Sequence, residues 1–207
     1  MIQDRIGDPF SAEDQKRIAI QNTILLKQLV VSSMEYCSPL WTPTERAKID
    51  KLESVQRFFT RHINGMNGPR RPSYEERLKR LGIYSLERRR ERYLLIYMFK
   101  VLNNLVPNPG FSWDYNCRTG FRIHLRQAVK GACAKVKRLV NNSTINKAAA
   151  LFNKLPVDFK LQSDGNLETY KKRLDKLLTA VPDQPDSFGR AASSNSLEQQ
   201  LQYRVEN

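Results

Sequence analysis

The sequence Glu87-Arg-Arg-Arg-Glu-Arg92 places four arginines within about two helical turns, just ahead of an apolar run. Guanidinium groups at that density either bind phosphates or pair with carboxylates elsewhere in the fold. On a helix, a spacing of three sets Glu87 beside Arg90 and Arg88 beside Glu91, which relieves part of the charge. Cations in the first turns oppose the helix macrodipole, so the rest calls for an anion, and the cluster as a whole points to phosphate. A solvated face that pairs with acids elsewhere is the alternative for any one of these arginines.

A second basic element is longer. Between Asp114 and Asp158 there is no Asp or Glu, while nine cations occur: Arg118, Arg122, Arg126, Lys130, Lys135, Lys137, Arg138, Lys147 and Lys154. An ordinary solvated surface mixes both signs, so a one-sign stretch needs an external counter-charge. Trp113, Tyr115 and Phe121 lie beside it and either stack on unpaired bases or are buried in the core. Lys135-Val-Lys-Arg138 also has the pattern of a nuclear import signal.

Other chemistry lacks its residues. Cys117, His124 and Cys133 stand at spacings that match no zinc pattern. The histidines, His62 and His124, sit in no nucleophile motif, and there is no glycine-rich phosphate loop. No pair of adjacent aspartates is present to hold two divalent ions for nucleotidyl transfer. The expectation is a chain without a complete catalytic site, cofactor or small-molecule substrate.

The net charge of +14 is unevenly placed. Residues 1–44 carry 4 basic and 5 acidic side chains, residues 45–138 carry 22 and 8, and residues 139–207 carry 9 and 8. The whole excess lies in the middle, where it builds a field that attracts a polyanion, nucleic acid first and anionic membrane second. Three cysteines, an odd number, suit reduced thiols in the nucleus or cytoplasm. Residues 1–11 include Asp4, Asp8 and Pro9 and lack the apolar run of a targeting peptide. The longest apolar stretch, residues 93–99, is too short to span a bilayer.

The elements that position these groups are mostly helical. Ser11-Ala-Glu-Asp14 and Ser73-Tyr-Glu-Glu76 are capping boxes, and Ser85 caps the helix that carries the arginine run. The first helix runs toward Met34 with its apolar residues in blocks, as in a helix touched on several sides. Thr42-Pro-Thr-Glu45 predicts another start, followed by Ile49, Leu52, Val55, Phe59 and Ile63 at helical spacing up to Gly65. Residues 65–72 read as a loop, and the apolar residues 93–99 mark a central core helix. Residues 106–116 read as a linker. Residues 121–126 alternate as a strand would, with 135–140 as its partner, although Arg118, Arg122, Arg126 and Lys130 also fit a helix. Residues 144–155 and an amphipathic segment capped by Asn166 are helical, and residues 183–207 are predicted to be disordered.

Several of these segments together resemble one family. Met34-Glu-Tyr-Cys-Ser-Pro-Leu-Trp-Thr-Pro43 is similar to the segment that follows the catalytic palm in reverse transcriptases of LINE-type, jockey-like non-LTR retrotransposons. In the same order, Lys48-Ile-Asp-Lys-Leu-Glu-Ser-Val-Gln-Arg57, Ser73-Tyr-Glu-Glu-Arg-Leu-Lys-Arg-Leu-Gly82 and Ser85-Leu-Glu-Arg-Arg-Arg90 look like later family motifs. So do Ala150-Leu-Phe-Asn-Lys-Leu-Pro156, where Phe152 replaces a tryptophan, and Tyr170-Lys-Lys-Arg-Leu-Asp-Lys-Leu177. Residues 107–148 match only loosely, and the family's palm and endonuclease would lie upstream.

The resemblance implies a thumb and C-terminal helical region of an RNA-directed DNA polymerase that grips a template–primer duplex by its phosphates, without catalysis of its own. Its partners would be RNA or an RNA–DNA hybrid and an upstream polymerase domain, with no membrane. Together with the charge map it makes Arg57, Arg61, Arg70, Arg71, Arg88, Arg89, Arg92, Arg118, Arg122 and Arg126 the candidate contacts. The expected fold is mainly α, an irregular multi-helix bundle with a short β-hairpin near 121–140 and a disordered C-terminal tail. Its expected parts are a thumb-like region (1–105), a basic hairpin with C-terminal helices (106–181) and the tail (182–207). A helical module that docks an acidic protein or the missing polymerase half is the second expectation, and an exposed apolar face on residues 18–31 would mark it.

Overall fold

Serine side chains begin the helices where the sequence predicts them. The computed structural model describes residues 11–43, 45–63, 72–161, 165–185, 195–197 and 200–201. Helix α1 (Ala12–Leu25) starts at Ser11, whose Oγ accepts from the Asp14 amide, and runs on through a π-helical stretch, Leu26–Val31, into α2 (Ser32–Glu35). Cys37, in the left-handed region at φ 51°, turns the chain into α3 (Ser38–Trp41). Helix α4 (Arg46–Arg61) follows, then α5 (Tyr74–Leu81), capped by Ser73, and α6 (Leu86–Leu102), capped by Ser85. Strands β1 (Trp113–Asn116) and β2 (Gly120–Ile123) pair antiparallel, with Trp113 opposite Ile123 and Tyr115 opposite Phe121. The chain ends in α7 (Ala134–Asn141), α8 (Thr144–Asn153), α9 (Val157–Leu161) and α10 (Leu167–Ala180), the last capped by Asn166. The protein is mainly helical, an irregular bundle with one short hairpin.

Helix α6 is the central element. Its Leu94, Leu95, Met98, Phe99 and Val101 are buried against Ala148, Leu151 and Phe152 of α8 and Tyr170, Leu174 and Leu178 of α10. The Phe99 and Tyr170 rings stack at 4.2 Å, and the Tyr170 hydroxyl donates to the Leu95 carbonyl. This cluster therefore joins α6 to the helices that follow the hairpin. A second cluster gathers Leu26, Val31, Ile63, Leu78, Ile83 and Leu86. Gly82, at φ 59°, ends α5 in a left-handed turn that lets the Ile83 amide donate to the Leu78 carbonyl.

Several local expectations are corrected. The first helix is not touched on several sides: Ile20, Ile24, Leu25 and Leu29 are exposed. Its buried Leu26 and Val31 are five apart and share a face because the backbone between them is π-helical. Helix α4 starts at Arg46 with Glu45 as its N-cap, since the Thr42 hydroxyl is turned back onto the Ser38 carbonyl. Its innermost residues are Glu53, Gln56 and Thr60, while Phe59 of the apolar stripe stays exposed. The polar face is inside because it meets the start of α6: Glu53 accepts from the Leu86 amide and the Tyr74 hydroxyl, and Gln56 Nε2 donates to the Tyr84 carbonyl.

Residues 135–140 are helical in α7, and the strand partner of β2 lies upstream, in what reads as linker. That helix lies against α8, and Asn146 of α8 donates to the Val140 carbonyl near its end. The predicted tail disorder covers residues that are mostly outside the described ones. Within that stretch, Leu197 and Leu201 are buried in the larger cluster, and Asn195 is fully buried. No helix among the described residues is long and apolar enough to cross a membrane.

Two predictions follow from this packing. Leu197→Ala, at a fully buried position, is expected to cost about 2–5 kcal/mol in chemical denaturation; an unchanged midpoint would show that the tail residues do not hold the core. Burial pushes the Glu53 carboxyl up to about 7 and the Glu91 carboxyl up to about 8, from a usual 4.5. The folded chain then holds protons that the unfolded chain releases, so this contribution is complete below pH 4.5 and declines as pH rises to about 8. Relative to Glu91→Gln, the wild type should lose stability between pH 5 and 9, measured by urea titration at each pH.

Candidate nucleic-acid interface

The structure sorts six of the ten candidate arginines into two sets. At the start of α6 the charges face inward. Arg88 has 0 % of its surface exposed, and its Nη2 donates to the carbonyls of Pro182 and Asn195 and to Gln200 Oε1. Its Nε lies 3.9 Å from Glu91, which itself accepts from the Leu197 amide and the Ser196 hydroxyl. Arg89 makes a two-pronged pair with Glu35, and Arg92 makes another with Asp175 at 2.6 and 2.9 Å. Both line a cleft of about 480 Å³ with Lys27, Tyr84 and Tyr93, but their forks are already occupied. Arg90 is buried, its guanidinium 4.4 Å from the Trp41 ring and bonded to the Met34 carbonyl.

The reading of this run as a phosphate site is therefore corrected: Arg88, Arg89 and Arg92 hold elements of the chain together. The physical reason is supply. Carboxylates brought from α2 and α10, with the tail carbonyls, meet the guanidinium groups before any ligand does, and the pairing alternative is the one realised.

Arg57 is half-buried and sits over the Tyr74 ring at 5.2 Å, while Arg61 is exposed at the end of α4. Arg70 and Arg71 lie outside the described residues.

The other set is on the surface. Arg118, in the hairpin turn, Arg122 of β2, Arg126, Lys130 and the α7 residues Lys135, Lys137 and Arg138 are all exposed. Among the described residues none of these seven is ion-paired. Asp114, the last acid before the stretch, is engaged by His124 Nε2 at 2.9 Å across the hairpin. The positive field reaches inward as well: the Lys160 ammonium is pushed down, first by burial and then by neighbouring Arg122. The Arg126 guanidinium donates to the Pro109 carbonyl and crosses Gly110, where a Cβ would stand 2.0 Å from Nη2.

Two asparagines of α8 fix this segment, and residue types alone did not reveal them. Asn153 accepts from the Ile123 amide and donates to the Ile123 carbonyl, pairing with β2 as a further strand would. Two turns earlier, Asn146 does the same at Arg126 and also donates to the Val140 carbonyl at the end of α7. One helix thus holds the backbone on both sides of the basic stretch while the cations stay in water. The α7 cations are exposed like those of the hairpin but were not among the ten candidates; the absence of acids from 115 to 157 and the basic pattern of Lys135-Val-Lys-Arg138 were their signals.

Cys37, Cys117 and Cys133 are free and exposed, and among the described residues no cluster of His, Cys, Asp and Glu is gathered for a metal ion. No family model, curated protein or solved structure matches this chain.

The two sets should respond differently to truncation. Arg88→Ala leaves several buried acceptors and Glu91 without their partner, and a loss of about 3–5 kcal/mol is expected. Arg122→Ala should stay within about 0.5 kcal/mol of the wild type. Thermal melts of both variants decide it, and equal stability of the two would refute the sorting.

Proposed function

We propose that this chain is a non-catalytic nucleic-acid-binding module whose phosphate-contacting surface is the hairpin and α7. In the family terms suggested by its motifs, it corresponds to the thumb and C-terminal helices of a LINE-type reverse transcriptase. That region grips RNA or an RNA–DNA hybrid beside a polymerase domain, in the nucleus or the cytoplasm. One observation carries the reading: seven exposed cations stand in a stretch that contains no acid and are left without ion pairs by the described residues. A polyanion neutralises such a row and releases its own condensed counterions, which drives binding without reading base sequence.

A second reading has its own support. Ile20, Ile24, Leu25 and Leu29 of the first helix are exposed, and a groove of about 380 Å³ runs between Leu25, Leu29, Phe59 and His62. An apolar face of that kind suits a protein partner such as the upstream polymerase half. It lies on elements other than the basic face, so the two readings are compatible.

The first reading is tested by fluorescence anisotropy with labelled RNA and RNA–DNA hybrid over a salt series. Neutralising about five phosphates on a duplex gives a loss of about 500-fold in affinity between 50 and 200 mM salt. The triple variant Lys135→Glu, Lys137→Glu, Arg138→Glu should bind weakly and with a shallower slope. No binding by the wild type at low salt would end this proposal.

A further inference from the structure

The hairpin displays more aromatic surface than its packing uses. Its register places Trp113, Tyr115, Phe121 and Ile123 on one face of the ribbon. At the root, Ile123 is buried, and Trp113 and Phe121 pack against the main core. At the tip, Tyr115 remains 58 % exposed, its ring 4.9 Å from that of Phe121 and inclined by 55°. A cross-strand aromatic pair steadies a two-stranded ribbon, which accounts for the tilted contact of Tyr115 with Phe121. More than half of Tyr115 still meets water. It stands next to the turn that carries Arg118, within the acid-free stretch, and the nearest carboxylate in sequence, Asp114, is engaged by His124.

An exposed ring among unpaired cations suits one form of nucleic acid better than another. In a duplex both faces of every internal base are already stacked, so the ring has nothing to cover. In a single strand a base is free to lie on the phenol while its flanking phosphates meet the arginines.

Building on the nucleic-acid reading above, we infer that this surface takes single-stranded nucleic acid, with one unpaired base stacked on Tyr115 beside Arg118. Stacking needs only a π face, so the site tolerates any base.

The test compares an unstructured RNA of about twelve nucleotides with the same strand annealed to its complement, both titrated by anisotropy at fixed salt. The single strand is expected to bind more tightly. Tyr115→Ala should weaken it about tenfold, leave the salt slope unchanged because no charge is lost, and leave the duplex unaffected. Tyr115→Phe should bind as the wild type does. Tyr115→Leu, which preserves an apolar cross-strand contact, should melt like the wild type yet bind like the alanine variant, which separates stacking from hairpin stability. If Tyr115→Ala matches the wild type on the single strand, or loses equally on both forms, this inference fails while the phosphate-binding proposal stands. If the wild type binds neither form at low salt, both fail.

Discussion

Helix α6 begins with an electrostatic conflict that the rest of the fold resolves. Its first turns carry Arg88, Arg89 and Arg90 at the positive end of the macrodipole, and Arg88 is wholly out of water. Stripping a guanidinium of its hydration costs several kcal/mol by rough estimate, and each donor that finds an acceptor offsets part of that cost. Three acceptors from the end of the chain meet the Arg88 Nη2, the carbonyls of Pro182 and Asn195 and the side-chain amide oxygen of Gln200, while its Nε and Nη1 have no hydrogen-bond partner among the described residues. The backbone amides at the helix start, which have no partner within the helix, take carboxylates from other segments, Leu86 from Glu53 and Ser85 from Asp183. Helix α4, the segment after α10 and the tail residues are thereby tied to one point, and the apolar seats of Leu197 and Leu201 follow from it.

The burial that holds this network also sets its charge states. Glu53 and Glu91 are drawn toward the neutral form mainly by desolvation, although Glu91 keeps 14 % of its side chain at the surface. Glu87 is raised for the same reason and steadied by Arg46 at 3.2 Å. Charges that are spent in this way contribute little to the outer field. The exposed cations of residues 118–138 stand apart from this network, in a stretch without acids.

What was legible in the sequence was local. Ser11, Ser73, Ser85 and Asn166 mark helix starts because each cap is satisfied within three residues, and Gly82 marks a stop because its φ of 59° disfavours other residues. The apolar residues 93–99 reveal the core helix for the same reason, since a segment that is apolar on all sides has to be enclosed. What was hidden depends on partners far along the chain. Glu53 sits on the buried face of α4 only because Leu86, 33 residues later, arrives there with an open amide. Leu197 and Leu201 stand among serines, glutamines and asparagines, a composition that reads as unable to pack, yet two leucines four apart fill a site made by other helices. Residues 135–140 offer themselves as a partner for the alternating segment 121–126, but that strand pairs with the segment before it and 134–141 is helical beside α8.

The same distinction bears on the candidate site. Counting arginines gives equal weight to Glu87-Arg-Arg-Arg-Glu-Arg92 and to the stretch beyond Asp114, but a cation is available to a ligand only if the fold leaves it unpaired. Acids interleaved with the first run, and others delivered by α2 and α10, consume it; the second run has none nearby and is held from behind by neutral amides, Asn146 and Asn153. A neutral clamp fixes the backbone without cancelling the charge, which an Asp or Glu at either position would do. The absence of acid over a long stretch is therefore a better guide to an outward-facing basic surface than the density of arginine, because pairing inside the fold needs a carboxylate and display to a polyanion needs its absence.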